Sequence, residues 1–312
     1  MTIRHAAICL TILLAGSALC AGQNALGNAS GFDVRNQQPG PQPPLLTAAA
    51  RSEVVETPNM KGPSVKDPTE DASAEAALLD SVNRSRHKAG AAPLRMDNTL
   101  RLAARAHAQL MGANQQLDHN FPGEPSLLQR IANVSPLAID RAGENIATAT
   151  CPDDAAEMLF RSPPHRENLL NPQFNVAGIA AVWSHGHLYV VEDFAHEVPS
   201  YSARETEKLV GKAIEGMRRS SRLPGLAEVT MPHLDQAACQ LATQAQPSAR
   251  LLAASYTNRK IITYTQSQPA QLPAGASRLL ADPNLRQFAI GSCYARNAAY
   301  PTGIYWIAIL LN

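Results

Sequence analysis

The chain has 312 residues, 45% of them hydrophobic and 5% aromatic, with a formal net charge of +1. That is material for one large or two modest domains. The near-neutral balance gives no electrostatic case for nucleic acid or for an anionic membrane surface, and the sparse aromatics argue against recognition by stacking.

The first twenty residues have the layout of an export signal. Arg4 and His5 precede an apolar run over residues 6–14, and small residues follow at 15–21. The run is too short for a membrane-spanning helix, and no later segment is apolar for long enough either. Cleavage after Cys20 leaves Ala18 and Cys20 at the two small-residue positions. Lipid attachment at Cys20 is the less favoured reading, because Leu19 is bulky where such a signal takes Gly, Ala or Ser. The expected location is therefore secreted or periplasmic.

Residues 21–72 read as a disordered, proline-rich linker. The run Gln37-Gln38-Pro39-Gly40-Pro41-Gln42-Pro43-Pro44 and the later Pro58, Pro63 and Pro68 come with no apolar period, so little surface can be buried to offset ordering entropy. Ser73 then reads as a helix cap, with Leu78, Leu79, Val82 and Arg86 on one side of a helix ending near Gly90. A second helix is predicted from its cap Asp97 through Leu100, Ala103, Ala104 and His107 to Met111. Residues 115–142 read as loop-rich. Pro152-Asp153-Asp154 starts a third helix that stops before Pro163. Strands over 176–183 and 188–194 form a hairpin around Ser184-His185-Gly186. Helices followed by a hairpin suggest a sheet covered by helices.

Beyond Tyr201 the pattern echoes itself. The run Arg218 to Leu226 resembles Arg86 to Leu94 in spacing, and each precedes an alanine-rich helix, Leu234-Ala237-Ala238 in one and Leu100-Ala103-Ala104 in the other. Asp282-Pro283-Asn284-Leu285 with Ala289-Ile290-Gly291 follows Asn171-Pro172-Gln173-Phe174 with Gly178-Ile179-Ala180. The rival reading is an unrelated small α/β module. Of five cysteines, Cys9 leaves with the signal and Cys20 sits at its edge. The echo places Cys239 on a second helix and Cys293 on a hairpin strand, elements that can pack together. A Cys239–Cys293 bridge is therefore expected, against two separately buried thiols, and Cys151 is left without a partner.

Three motifs carry the chemistry: Leu117-Asp118-His119, Ala142-Gly143-Glu144-Asn145-Ile146-Ala147, and Ser162-Pro163-Pro164-His165-Arg166-Glu167-Asn168-Leu169-Leu170-Asn171-Pro172. In this order, with a closing Val191-Glu192-Asp193-Phe194, they resemble bacterial members of the CAP superfamily, the cysteine-rich secretory, antigen 5 and pathogenesis-related proteins that share the SCP domain. The resemblance covers about 120 residues. It implies an α+β fold, a three-layer α-β-α sandwich over residues 73–198, and the echo adds a degenerate second CAP-like copy over 199–312. It also implies a cleft lined by His119, Glu144 and His165. Ser162 stands where many eukaryotic members carry a second glutamate, and Asp118 replaces the usual serine or threonine. Asp118, Asn145, Ser162, Arg166 and Asn168 are expected to support the cleft.

Two imidazoles and a carboxylate can hold a divalent ion, zinc by resemblance and weakly, or can form a hydrogen-bonded network in which Glu144 orients a histidine. Three readings stay open. One is a binding module for a metal and a small apolar, lipid, sterol or peptide ligand. Another is a metal-assisted or His/Glu-dependent hydrolase of peptides or envelope polymers. The last is a brace with no cleft chemistry. No nucleophile elbow or oxyanion hole is recognisable, which weighs against an enzyme. His107 reads as a core histidine, His185 and His187 as turn residues, and Arg130 as a loop-fixing side chain. The second copy has no counterpart of the three motifs.

Overall fold

The computed structural model describes residues 29–35 and 68–312. The expected signal at 1–20 and most of the expected linker lie outside the described residues.

The first unit comprises β1 (Ala29–Arg35), β2 (Thr69–Glu70), α1 (Ala72–Lys88), β3 (Arg95–Met96), α2 (Asn98–Asn114), α3 (Leu127–Val134), β4 (Ile139–Ala149), α4 (Pro152–Arg161), α5 (Pro163–Leu170), β5 (Val176–Ser184) and β6 (His187–Glu197). Its sheet runs β1-β4-β6-β5-β2, with β3 parallel to β5. Strand side chains alternate between the two faces. Ala147, Ala177, Ile179, Val190 and Phe194 pack with Leu78 and Val82 of α1, Leu159 of α4 and Leu169 of α5. The other set, Ala142, Ile146, Ala180, Val191 and Ala195, packs under α2 and α3 through Leu100, Ala104, Met111 and Ile131. The result is the three-layer sandwich.

Several local expectations are met. Asp97 caps α2, accepting from Thr99 N at 2.9 Å and Leu100 N at 3.1 Å. The hairpin turns on His185 (φ 51°) and Gly186 (φ 80°), the paired positive dihedrals of a tight two-residue turn. Others are corrected. The cap of α1 is Asp71, not Ser73: it accepts from Ser73 N and Ala74 N at 3.1 and 3.0 Å, while its second oxygen holds Trp183 Nε1 at 3.1 Å. Within the stretch expected to be linker, β1 lies antiparallel along β4, where it satisfies the backbone groups of an otherwise open edge. Pro163 does not only end a helix; it begins α5, since proline is well suited to a first helical position.

The second unit comprises α6 (Ala203–Ser220), β7 (Ala227–Glu228), α7 (Leu234–Thr243), α8 (Ala249–Ala253), β8 (Lys260–Gln266), α9 (Ala276–Leu280), β9 (Gln287–Ala295) and β10 (Ile304–Leu311). Its sheet order β7-β9-β10-β8 follows the same path as β3-β5-β6-β4. It too has three layers, with α6 and α9 on one face and α7 and α8 on the other. A buried arginine ties loops in each unit. Arg86 donates to Ala92 O (2.7 Å), Leu169 O (2.8 Å), Asn171 O (2.9 Å) and Phe174 O (3.1 Å). Arg218 donates to Pro224 O (2.7 Å), Leu280 O (2.7 Å) and Asp282 O (3.0 Å). In each unit a strand glycine lets a helix start press close. A Cβ at Gly178 would lie 2.2 Å from the Leu100 carbonyl carbon, and one at Gly291 would lie 2.5 Å from that of Leu234. Loop equivalence pairs Gly178 with Ala289, so the second glycine sits two residues further on, still on the same strand face.

The units meet along a polar seam. The Arg296 guanidinium donates to Ala132 O, Ser135 O and Leu137 O at 3.1, 2.9 and 3.1 Å, closing the C-terminal end of α3. Thr302 Oγ1 donates to Ile139 O at 2.8 Å.

The expected Cys239–Cys293 disulfide is present and ties α7 to β9 across a sequence separation of 54. Cys151 is disulfide-bonded as well, which corrects the expectation that it stands alone. The Cys239→Ala/Cys293→Ala double substitution is expected to lower stability by about 2–4 kcal/mol, through the freed loop of the unfolded chain. Denaturant unfolding of the two proteins checks this; an unchanged midpoint would show that the bridge is dispensable.

Candidate functional site

The site is built around one buried arginine. Ser126 and Gln129 form a capping box that starts α3, and the helix carries Arg130 inward to 7% exposure. Arg130 forms an ion pair with Glu144, a second with Glu124 at 3.3 Å, and a hydrogen bond to His119 O at 3.0 Å. Glu144, fully buried on β4, also holds His119 Nδ1 at 2.7 Å. Glu124 carries the network further, to His107 Nδ1 at 2.7 Å and Phe121 N at 3.0 Å. His119 is the member of this chain that reaches solvent, its side chain being 22% exposed.

Directly opposite Glu144 in the β4–β6 register stands Asp193, with no exposed surface. Burial pushes the Glu144 carboxyl up to about 7, while Arg130 pulls it back down. Asp193 lies well above its ordinary value, through burial first and then the charge of Glu144. Glu144 accepts from Arg130, which favours its ionised form, and the proton of the pair stays with Asp193.

The opposite face of the same strands holds a second polar group. Asn145 Nδ2 donates to Glu192 Oε2 at 3.1 Å and to His165 O at 3.2 Å. Its Oδ1 accepts from Asn168 at 3.0 Å, and Asn168 also reaches Glu144 O at 3.3 Å. Burial pushes Glu192 up to about 7, partly offset by Asn145. Gly143 packs tightly beside this group: a Cβ there would meet the Phe174 ring at 3.0 Å and Asn168 Oδ1 at 3.2 Å.

The sequence-derived site is therefore assembled in part. His119 and Glu144 meet. His165 is fully buried near the start of α5 and is joined to the Glu144 strand through its carbonyl and Asn145. Asn145 and Asn168 support the site, whereas Asp118 turns back to accept from Asn120 N at 3.1 Å, Ser162 marks the α4–α5 junction, and Arg166 is exposed. His107 is a buried core residue held by Glu124. Arg130 does more than fix a loop, and Glu124, Asp193 and Glu192 were missed. Their signal was the adjacent pair Glu192-Asp193 inside an otherwise apolar strand.

Among the described residues no three His, Cys, Asp or Glu side chains come together to hold a metal ion. The guanidinium against Glu144 also opposes a dication electrostatically.

Residues 79–194 match the family model described as the cysteine-rich secretory protein family, CAP. The uncharacterized protein YkwD of Bacillus subtilis strain 168 is 34% identical over 113 residues, covering 35% of this chain and 43% of that relative's length. Among solved structures, an extracellular SCP-domain protein from Bacillus anthracis is 26% identical, with a TM-score of 0.36 over 40% of this chain and 41% of its own. An outer surface protein from Borrelia burgdorferi is 20% identical, with a TM-score of 0.39 over 42% of this chain and 98% of its own. Na-ASP-1 is 9% identical, with a TM-score of 0.45 over 80% of this chain and 91% of its own.

The buried acids set a pH dependence. Because the folded-state value of Glu192 is about 7, above the ordinary ~4.3 of an unfolded glutamate, the folded state holds an extra proton between those values. The stability that this neutral acid contributes is complete below about 4 and is lost as pH rises through about 7. Unfolding free energy is expected to fall over that window by up to about 1.4 kcal/mol per pH unit for this group, and Glu192→Gln is expected to flatten the slope. Chemical unfolding at several pH values measures it; a variant with the wild-type slope would exclude Glu192 as the source.

Proposed function

We propose, from the premise that this chain is a bacterial member of the CAP superfamily by its domain at residues 79–194, that it is an exported binding module whose cleft is built on the His119–Glu144 pair. The observation that carries this reading is the asymmetry of the network. Arg130 and Glu144 are buried and paired, and Arg130 also holds Glu124, while His119, oriented through Nδ1 by Glu144, reaches the surface at 22% side-chain exposure. A charged interior that ends in one oriented, accessible imidazole is suited to hydrogen-bonding a ligand at the rim. The ligand class is a peptide or a small apolar molecule such as a lipid or sterol.

Two further parts of the reading rest on other support. Export rests on the leader at residues 1–20; no helix among the described residues is long and apolar enough to cross a membrane. The degenerate second copy rests on shared strand order, the matching Arg86 and Arg218 bonds, and the two close-approach glycines. In that alignment Glu144 and its partner Asp193 correspond to Ile261 and its partner Leu310. The second copy therefore keeps the frame and lacks the acids.

A hydrolase is disfavoured because Glu144 already carries Arg130, His119 and the Asp193 proton, which leaves it a poor general base. Zinc bound here must compete with Arg130 for Glu144, so weak binding is expected.

The test compares wild type with His119→Ala, at the rim, and Arg130→Gln, in the interior. Arg130→Gln is expected to cost about 3–5 kcal/mol of stability, because it strands buried acids. His119→Ala is expected to cost less than about 1 kcal/mol while weakening binding at least about tenfold to whichever of a peptide array, sterol or lipid vesicles the wild type binds. Probes bound equally by both proteins would sink the cleft reading and leave a brace. Zinc titration against His119→Ala/His165→Ala is expected to show similar weak binding, and peptidase or esterase activity abolished by Glu144→Ala would instead favour the hydrolase.

A further inference from the structure

The seam between the two units encloses a polar cavity of about 350 Å³, remote in character from the network around Glu144. The first unit lines it with Asp140 and Arg141 at the start of β4 and His196 near the end of β6. The second unit contributes Ser267, Gln268 and Gln271, in the segment that follows β8. Neither unit forms this cavity alone. The volume is at the lower end of the range typical of small-molecule sites.

Its charges are unequally satisfied. Asp140 is occupied by His196 Nδ1 at 2.7 Å and by the Ser267 hydroxyl at 3.3 Å. No ion pair engages Arg141 among the described residues, and its Nε is buried without a hydrogen-bond partner. That Nε is closed to solvent, so a ligand in the cavity meets the outer N–H donors of the fork, whose planar geometry suits a carboxylate. Around it stand exposed amide side chains, Gln268 and Gln271, joined by a bond from Gln271 Nε2 to Gln268 Oε1 at 2.8 Å and retaining further donor and acceptor capacity. Little of the lining is apolar, so a hydrophobic ligand gains nothing there.

We propose that this seam cavity binds a small, hydroxyl-rich carboxylate of sugar-acid size. The carboxylate lies on Arg141, and the hydroxyls lie on Gln268 and Gln271. The second unit, which lacks the acids of the first, thereby completes a site. The ligand stabilises the contact between the units, since it bonds to both.

Titration calorimetry and saturation-transfer NMR with glucuronic acid, glucose and N-acetyl-alanyl-alanine test the proposal on the full chain. Glucuronic acid is expected to bind at least about tenfold more tightly than glucose. That preference is expected to disappear in Arg141→Gln, to return in part in Arg141→Lys, and to weaken in Gln268→Ala/Gln271→Ala. Equal binding of the dipeptide, also lost in Arg141→Gln, would support the same carboxylate chemistry and assign it to a peptide terminus. Absence of binding by both carboxylates, or binding unchanged in Arg141→Gln, overturns the proposal. Thermal melts confirm that each variant is folded. His119→Ala is expected to leave this binding unchanged, so the seam site and the His119 cleft fail independently.

Discussion

Arg130 against Glu144 is the contact on which the first unit depends. Glu144 and Asp193 face each other from neighbouring strands inside an apolar sandwich, and two buried carboxylates at that separation cannot both ionise. One guanidinium and one retained proton resolve the conflict. The same guanidinium bonds the His119 carbonyl and pairs with Glu124, so it sets the strand, the loop after α2 and α3 relative to each other. Such a charge set contributes little net stability compared with apolar packing. Its effect is to allow one arrangement of that loop and no other, and the orientation of His119 follows from it.

A different device holds the frame. Arg86, Arg218 and Arg296 each spend their donors on backbone carbonyls rather than on acids. Carbonyls at loop bends and helix ends lack partners of their own, and a planar fork can serve several at once. Arg86 does this in the first unit and Arg218 in the second. The central strands of the second unit carry Ile261, Ile262, Ile309 and Leu310, so its stability comes from apolar burial and the Cys239–Cys293 bridge. Chemistry and frame are separable in this fold. The units meet where polar loops face each other, which leaves a cavity rather than a dry interface.

Much of the architecture was legible along the chain, and the failures have a common cause. Asp97, the Leu100-Ala103-Ala104 stripe and the His185-Gly186 turn are signals whose physics is local, and they held. β4 was hidden because Ile139-Asp140-Arg141-Ala142-Gly143-Glu144-Asn145 is too polar to read as a buried strand. Glu144 and Asn145 are buried because partners from α3, α5 and β6 receive them. The eight-residue α3 was obscured by flanking prolines, and α5 by a double proline that reads as a stop. β1 was missed because it forms on the edge supplied by β4, not on apolar content of its own.

The sequence alone determined the three motifs around His119, Glu144 and His165, their order, the hairpin that closes the domain and the echo from which the Cys239–Cys293 bridge was expected, because each is written in adjacent residues or in fixed spacing. Only the tertiary structure decided that Glu144 meets Arg130 and Asp193, that His119 stands at the rim while His165 is buried, and that Arg141 faces glutamines from the second unit. Those pairings depend on strand register and on how two units dock. Both are outcomes of packing between residues from 14 to more than a hundred positions apart, and no local pattern encodes them.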